Sequence, residues 1–212
     1  MLLGGLIGRR SRVWLMWVNS CHPSNPLLCS YRLTCLFKVG GNEGHVCMAI
    51  CNSYPHIKAA VQDIPRVIAS SHPKLPTKYA KAITFAEHNF FKPQQIVADC
   101  YILRFILHDW TNDKAKEIIR NLVPALRPGA RVLIVEHVVP SVTGSARSKM
   151  PGYVQRLIHQ MDIVMLSLLA GKERTEEHLE RLVGEADSRL VLKSSCCPDG
   201  SALTVLEFQF TG

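Results

Sequence analysis

The sequence has no unbroken apolar run long enough to cross a membrane. The apolar stretch at its start, MLLGGLIGRRSRVWLMWV, is interrupted by Arg9, Arg10 and Arg12, whereas a membrane-spanning helix needs about 20 continuous apolar residues. These arginines follow the first apolar residues, although a secretion signal carries its positive charge before them. We therefore expect neither a membrane span nor a secretion signal here, and no membrane partner.

Paired cysteine motifs are also missing, although the chain contains eight cysteines. They stand at positions 21, 29, 35, 47, 51, 100, 196 and 197, and no two are separated by just two residues. Zinc sites and redox motifs typically use that spacing. The pattern favours a reduced, cytoplasmic chain with buried thiols, and no cluster of metal ligands is visible in the sequence.

Acidic residues are absent from the first 38 residues, which hold five of the 25 lysines and arginines. The other residues carry 20 basic and 17 acidic side chains, so the formal net charge of +8 originates mostly in this N-terminal stretch. No stripe of arginine and lysine with interleaved aromatic residues follows it, as a nucleic-acid surface would require. The charge distribution therefore argues against a nucleic-acid partner.

Internal repeats and low-complexity tracts are lacking too, and the 212 residues are 47% hydrophobic. This composition suits one sizeable core, and one domain is the default at roughly 100–200 residues per domain. Residues 1–32 show neither a helical nor a strand period, and we interpret them as a poorly ordered or atypical segment. A regular pattern begins at residue 33, so the predicted domain is 33–212.

Apolar strand candidates alternate with helical patterns from residue 33 to residue 186. Strands are predicted at 33–39, 56–63, 82–90, within 96–107 and at 130–140, and helices at 44–54, 64–71, 112–126, 153–170 and 175–186. Such alternation is typical of an α/β fold whose parallel sheet has helices on both faces. The last two strands, RLVLKSS and SALTVLEFQF, are joined by the short connection CCPDGS, which predicts an antiparallel C-terminal hairpin. Asn112 is the predicted N-cap of the helix at 112–126.

Glycine or polar residues follow each of the first five predicted strands. They are Gly40–Gly44, Asp63, Asn89, His108 and Glu136. In open parallel sheets ligands bind beyond the carboxyl ends of the strands. We therefore expect these residues to converge on one rim of the sheet and to form a ligand site there.

His108 and Glu136 are the strongest candidates for chemistry in this set. A neutral imidazole at the end of a buried strand can take a proton from a substrate hydroxyl, because its pKa lies near the working pH. A lone histidine in such a place is more often structural, but Glu136 ends the next apolar strand, where it can orient and polarise an imidazole. Glu173, just before a helix capped by Thr175, is a second candidate carboxylate, although charges before helices are ordinarily solvated.

The glycine-rich stretch FKVGGNEGHV indicates where a cofactor could bind. Gly40 and Gly44 would let the backbone approach a ligand, and the helix behind them offers N–H groups at its N-terminus. Asp63 lies 19 residues after Gly44, the spacing at which an acid meets ribose hydroxyls. These residues alone would also suit a NAD-dependent dehydrogenase or an ordinary turn. The predicted hairpin and the pair of His108 and Glu136 count against a dehydrogenase.

Several separated motifs resemble those of S-adenosylmethionine-dependent O-methyltransferases of the plant and fungal caffeate type, closest to the fungal secondary-metabolism branch. They are KVGGNEGH, YPHIKAAVQDIP, FAEHNFF, LRFILHDWTNDKAKEIIRNLVPALRPGARVLIVEHVVP, MDIVML and GKERT, in the family's order and spacing over about residues 35–210. The resemblance implies a Rossmann-like seven-stranded sheet, mostly parallel with a C-terminal antiparallel hairpin. It also implies methyl transfer, without a metal, from S-adenosylmethionine to a hydroxyl, usually phenolic, of a small aromatic metabolite.

The same resemblance implies roles for individual residues. His108 matches the general base, and Glu136 and Glu173 match the two acids that flank and orient it. The implied cofactor-binding residues are Gly40, Gly41, Gly44, Asp63, Asn89, Phe90 and Arg104. Among them, Asp63 matches the ribose-binding acid, and Asn89 with Phe90 occupies the adenine-contacting pair, where the family usually has Asp first.

Two departures from the family pattern lead to a competing expectation. Lys38 replaces the acid that normally helps hold the amino-acid end of the cofactor, and Asn42 replaces a glycine, so cofactor binding should be weaker. Family members are homodimers built through an N-terminal helical domain, whereas only about 35 residues precede the sheet here. An apolar surface should be exposed where that domain would dock. The alternative function is therefore a catalytically impaired, truncated member that acts as a non-enzymatic or scaffold protein.

Overall fold

The computed structural model describes residues 34–140, 150–198 and 201–212, so the predicted atypical segment 1–32 lies outside the described residues. The strands are β1 Cys35–Val39, β2 Lys58–Asp63, β3 Ile83–Glu87, β4 Cys100–Arg104, β5 Arg131–Glu136, β6 Leu190–Cys196 and β7 Thr204–Phe210. The α-helices are α1 His45–Ser53, α2 Pro65–Ser71, α3 Asn112–Leu122, α4 Gly152–Leu169 and α5 Glu176–Ala186.

The strands form a seven-stranded sheet in the order β3-β2-β1-β4-β5-β7-β6. β1 pairs with β2 and β2 pairs with β3 in parallel. β7 runs antiparallel to both β5 and β6. The predicted fold class, a mostly parallel sheet with helices and a C-terminal antiparallel pair, is thereby confirmed.

The chain divides into two compact units. The described residues of the first unit are 34–89 and 98–102. Its core contains the fully buried side chains of Leu36, Phe37, Ile50 and Val61, which the alternation of strand and helix patterns brings together. Cys47 belongs to the buried face of α1, and burial raises the pKa of its thiol to about 12, so this cysteine is a core residue rather than a nucleophile.

The second unit contains residues 90–97 and the described residues from 103 onward. β5 is buried along its whole length, as the continuous apolar run RVLIVE predicts. Arg131 in this strand is paired with Glu207 of β7 at 2.7 Å, and both side chains are buried. Helices α3 and α5 pack together and bury one apolar face each, which includes Ile119 and Leu179.

Several element boundaries differ by a few residues from the sequence-based prediction, whereas β4 lies within its predicted range, 96–107. β4 ends at Arg104 because Phe105 adopts a left-handed backbone conformation, with φ of 54°. The prediction of Asn112 as N-cap was wrong by one residue: Thr111 is the N-cap and Asn112 is the first helical residue. Its amide Oδ1 instead accepts a hydrogen bond from Arg174 Nε at 3.2 Å.

Helix α4 exposes several large apolar side chains. The exposed fraction is 63% for Tyr153, 66% for Ile163, 66% for Leu166 and 74% for Leu168. Only Val154, Ile158 and Met165 of this helix are buried. No helix in the described part of the chain, α4 included, is both long and apolar enough to cross a membrane.

Candidate active site

The turn between β1 and α1 requires residues that tolerate a left-handed backbone. φ is 59° at Gly40, 48° at Asn42 and 74° at Gly44, and glycine and asparagine adopt such angles more readily than other residues. Gly41 is needed for a different reason, because a Cβ atom there would collide with the side chain of Val61. Asn42 therefore preserves the backbone geometry of the turn, although it replaces a glycine of the family pattern.

Lys38 is buried in β1, and its ammonium group is held by the backbone of the same turn. Nζ donates to the carbonyl oxygen of Val39 at 2.7 Å and to that of Gly40 at 3.1 Å. These carbonyl dipoles offset part of the cost of burying the charge. That Lys38 weakens cofactor binding stays a prediction.

Asp63 connects this turn to the beginning of α2. Its Oδ2 accepts a hydrogen bond from the N–H of Asn42 at 2.9 Å, and its Oδ1 accepts one from the N–H of Ile64 at 2.8 Å. An ionised carboxylate oxygen can accept more than one hydrogen bond, so both atoms retain capacity for a ligand hydroxyl. Asn89 lies exposed, two residues beyond the end of β3.

We expect the substitution Asp63→Asn to lower the free energy of unfolding by about 1–2 kcal/mol. The amide presents a donor to one of the two backbone N–H groups, so one charge-assisted hydrogen bond is lost. Urea denaturation followed by circular dichroism measures this change. Glu180→Gln is the control, because Glu180 is exposed on α5; equal losses for the two variants would contradict the structural role of Asp63.

In the second unit, His108 lies on a 3₁₀ turn, Leu107–Asp109, between β4 and α3. Its side chain is 7% exposed, with Nδ1 3.0 Å from Glu173 Oε1 and Nε2 3.3 Å from Asp109 Oδ1. The imidazole stacks on the ring of Phe105, with 5.3 Å between ring centroids and 25° between the planes. Two carboxylates and one aromatic face therefore fix the orientation of the predicted base.

Two buried side chains hold the backbone of this turn. Glu136 Oε1 accepts hydrogen bonds from the three N–H groups of residues 106–108, at 2.6 to 3.2 Å. Arg174 donates to the carbonyl oxygens of Leu107 at 2.8 Å and Trp110 at 2.7 Å. Glu136 thus acts on the backbone that carries the imidazole, and Glu173 acts on the ring itself.

The segment 171–174 brings Glu173 to the imidazole. The N–H of Lys172 donates to the carbonyl oxygen of His108 at 2.9 Å, and the N–H of Glu173 donates to Asp162 Oδ1 in α4 at 2.8 Å. The Glu173 side chain is 0% exposed. The alternative of a solvated charge before a helix is therefore wrong for this residue.

Glu173 contacts a second histidine that was not a candidate from the sequence. Its Oε1 lies 3.0 Å from His108 Nδ1 and 3.3 Å from His137 Nδ1. Its Oε2 is buried without a hydrogen-bond partner among the residues that the structure describes. Two imidazoles therefore share one carboxylate oxygen.

The surrounding charges shift the pKa values of this group. Burial alone would lower the pKa of His108, but the hydrogen bond to Glu173 and the charges of Glu136, Glu173 and Asp109 outweigh it and raise the pKa. Burial alone would raise the pKa of Glu173, but its hydrogen bonds to His108 and His137 and their charges hold it below its ordinary value. The arrangement is an ionised carboxylate beside an imidazole that takes up a proton readily.

Phe90 and Arg104, two further predicted cofactor residues, make aromatic contacts. Phe90 packs edge-on against Trp110, with 6.0 Å between ring centroids. The guanidinium carbon of Arg104 lies 4.6 Å from the centroid of the Phe105 ring, a cation–π distance. Their roles toward a cofactor stay predictions.

Three residues important for this geometry were missed in the sequence. His137 and Arg174 each follow a candidate carboxylate directly, and that adjacency is the signal that could have found them. Gly171 looks like an ordinary glycine after a helix, but a Cβ atom there would collide with the carbonyl oxygen of His108. Within residues 34–140, 150–198 and 201–212, no group of three or more His, Cys, Asp or Glu side chains is placed to hold a metal ion.

The amino-acid sequence is similar to known methyltransferases. Residues 28–188 match the O-methyltransferase domain. The O-methyltransferase FrzF of Cladobotryum sp is 38% identical over 181 residues, which are 83% of this chain and 40% of that protein. The 6-hydroxytryprostatin B O-methyltransferase of Aspergillus fumigatus is 40% identical over 180 residues, 82% of this chain and 48% of that protein. The chain thus spans less than half the length of these relatives.

Solved structures share the fold. TnmH superimposes with a TM-score of 0.79 at 24% identity, over 98% of this chain and 56% of that chain. LepI in complex with SAM superimposes with a TM-score of 0.72 at 26% identity, over 92% of this chain and 46% of that chain. A pericyclic reaction enzyme superimposes with a TM-score of 0.70 at 26% identity, over 93% of this chain and 47% of that chain.

Proposed function

The chain belongs to the O-methyltransferase domain family, and we propose that it transfers a methyl group from S-adenosylmethionine to a hydroxyl group of a small aromatic metabolite. The proposed acceptor is a phenolic hydroxyl. Residues 33–212 would form the catalytic domain. His108 would be the general base, with Glu173 and Glu136 as the acids that orient it.

The residues of the first unit fit the cofactor. Helix α1 has no acidic residue in its first turn, which suits the carboxylate of the cofactor's amino-acid end at the helix N-terminus. Glu43, just before the N-cap Gly44, is paired with His45 and Lys74. Asp63 retains acceptor capacity for ribose hydroxyls. We therefore propose that Gly40, Gly41, Gly44 and Asp63 hold S-adenosylmethionine; Asn89, Phe90 and Arg104 are proposed from the family resemblance alone.

The chemistry left to the protein is the removal of one proton. When bound, S-adenosylmethionine supplies a methyl group that is already activated on a sulfonium sulfur. A phenol has a pKa of about 10 and is largely protonated at neutral pH. Because Nδ1 of His108 faces Glu173, Nε2 would take the hydroxyl proton as the new oxygen–carbon bond forms. The imidazolium that results would lie beside the carboxylates of Glu173 and Asp109, which stabilise its charge.

One observation carries this proposal: a buried imidazole and a buried carboxylate are in contact at 3.0 Å, and Glu136 and Arg174 both hold the backbone of the turn that carries the imidazole. The fungal relatives support the choice of acceptor, because one of them is named for 6-hydroxytryprostatin B, a hydroxylated compound. The fold alone does not select methyl transfer, since a pericyclic reaction enzyme has it too.

Calorimetric titration tests the cofactor assignment directly. We expect S-adenosylmethionine and S-adenosylhomocysteine to bind the chain with measurable heat, and NAD to bind more weakly or not at all. Absence of heat at millimolar S-adenosylmethionine would contradict the proposal, and tighter binding of NAD would favour a dehydrogenase.

Turnover is measured separately with S-adenosylmethionine labelled in the methyl group and a panel of phenols. Label should appear in a methyl ether, and its rate of formation should rise with pH through a midpoint above 6.5, because the raised pKa of His108 keeps the base protonated at lower pH. Binding without transfer to any acceptor would favour a scaffold protein that retains the cofactor site.

A further inference from the structure

We propose that His137 is a positioning residue for the base: by occupying the same Glu173 oxygen as His108, it limits how firmly Glu173 holds the protonated imidazole of His108. The consequence for catalysis rests on the proposed function, because it assumes that His108 takes a proton. The contacts that carry the inference belong to the chain itself.

The first of these contacts is the shared oxygen. Glu173 Oε1 is 3.0 Å from His108 Nδ1 and 3.3 Å from His137 Nδ1. Among the described residues, Oε2 of the same carboxylate has no hydrogen-bond partner. Since the three side chains are 0%, 7% and 11% exposed, little water reaches the group. The hydrogen bond of each imidazole to Oε1 is therefore weakened by the presence of the other imidazole.

The protonation of the two rings follows from the carboxylate. An ionised carboxylate only accepts hydrogen bonds, so both Nδ1 atoms carry a proton. Two donors on one oxygen divide its negative charge, and each hydrogen bond is weaker than it would be alone. The Nε2 atom of His108, which lies 3.3 Å from Asp109 Oδ1, is then the ring nitrogen that can accept the proton of a hydroxyl.

Phe105 keeps the two imidazoles in this arrangement. Its ring centroid is 5.3 Å from that of His108 and 5.2 Å from that of His137. A left-handed φ of 54° is unusual for phenylalanine, and its N–H donates to the carbonyl oxygen of Val135 at 3.2 Å. The unusual backbone places one aromatic ring against both histidines, so their separation is built into the fold.

Other ionisable groups face this cluster from every element around it. They are Asp109 on the 3₁₀ turn, Glu136 at the end of β5, Arg174 beside Glu173, Asp162 on α4 and Arg104 over the Phe105 ring. Glu136 and Asp109 stabilise the protonated form of His108. Among the described residues, the side chains that contact Glu173 Oε1 are those of His108 and His137.

The sign of the effect is the same for either charge state of His137. If the ring is neutral, removing its N–H leaves the whole of Oε1 to His108, and the protonated base becomes more stable. If the ring is protonated, its removal also ends a repulsion between two positive charges. In both cases a variant without the Nδ1–H donor should hold the His108 proton to higher pH.

The experiment is an NMR titration of the His108 imidazole in the free chain, with the resonance assigned by its disappearance in His108→Gln. We expect His137→Phe, which keeps an aromatic ring but has no donor, to raise the midpoint by about 0.5–1 pH unit, the equivalent of one neutral hydrogen bond. His137→Asn places an amide N–H near the former Nδ1 and should restore the midpoint. His159→Asn, at an exposed histidine of α4, is the matched control and should leave it unchanged.

An unchanged or lowered midpoint in His137→Phe would overturn the proposal, as would a raised midpoint that His137→Asn does not restore. If His137→Phe does not fold, His137→Leu provides the same comparison without the donor. Because the titration needs neither cofactor nor acceptor, it stands even if no methyl transfer is found. If transfer is found, the midpoint of kcat/KM against pH should move in the same direction.

Discussion

Replacing His108 by glutamine should lower the rate of methyl transfer by about 10²–10⁴-fold, the usual contribution of a positioned general base. Glutamine keeps a polar side chain in the turn, but it cannot take a proton. The affinity for S-adenosylmethionine should stay within a few-fold, because the residues proposed to hold the cofactor's amino-acid end and ribose lie on the β1–α1 turn and at Asp63. Single-turnover kinetics and calorimetry on the same preparation measure the two quantities.

The control for this substitution is His159→Gln, at an exposed histidine, which should leave both quantities unchanged. The opposite pattern, lost cofactor affinity with retained turnover, would mean that His108 belongs to the binding site and that another group is the base. Equal activity in His108→Gln and the unsubstituted chain would contradict the role of His108 as the general base.

The second large effect on activity is expected from substitution of Gly171, a residue that has no side chain to take part in the reaction. A Cβ atom there would collide with the carbonyl oxygen of His108 and lie 2.9 Å from the carbonyl carbon of Asp109. In Gly171→Ala, either the turn that carries His108 or the segment that carries Glu173 must therefore move. Such overpacking costs about 1–3 kcal/mol of stability, and a shift of about 1 Å at a catalytic group can reduce the rate by about 10²-fold.

Gly184→Ala provides the matched comparison for Gly171→Ala. Gly184 lies in α5, and a Cβ atom there would meet no atom within 4 Å. Alanine in a helix interior is favoured over glycine by about 1 kcal/mol, so this variant should be neutral or more stable with unchanged turnover. Urea denaturation and kcat are measured for both variants. Equal stability and equal kcat in the two variants would show that the chain accommodates a Cβ atom at residue 171 without moving the turn that carries His108.

Much of the fold could be predicted because its elements have strong local patterns. The run RVLIVE indicates a strand buried on both faces, and β5 is buried throughout. Thr175 indicates a helix N-cap, and its Oγ1 accepts from the N–H of His178 at 3.2 Å. The end of β4 could not be placed in the same way, because phenylalanine seldom adopts the left-handed conformation that Phe105 has here.

The positions of His108 and Glu136 in the fold could be predicted, because His108 comes shortly after one apolar strand and Glu136 ends the next. The contacts of Glu173 could not be predicted, because its burial depends on a segment that packs against a turn 65 residues earlier in the chain. Periodicity carries no information on such a contact. His137 was missed for the same reason, since its relation to Glu173 exists only in three dimensions. Lys38, Asp63 and the glycines have defined local contacts, and their part in cofactor binding stays a prediction.

The apolar side chains exposed on α4 also have a consequence for self-association of the chain in solution. With a formal net charge of +8, copies of the chain repel one another in dilute buffer, where electrostatic forces extend about 30 Å at 0.01 M salt. At 1 M salt that range falls to about 3 Å, and the attraction between Ile163, Leu166 and Leu168 of neighbouring copies is no longer opposed. Sulfate strengthens this attraction further. We therefore expect the chain to remain monodisperse at low ionic strength and to associate as salt is added.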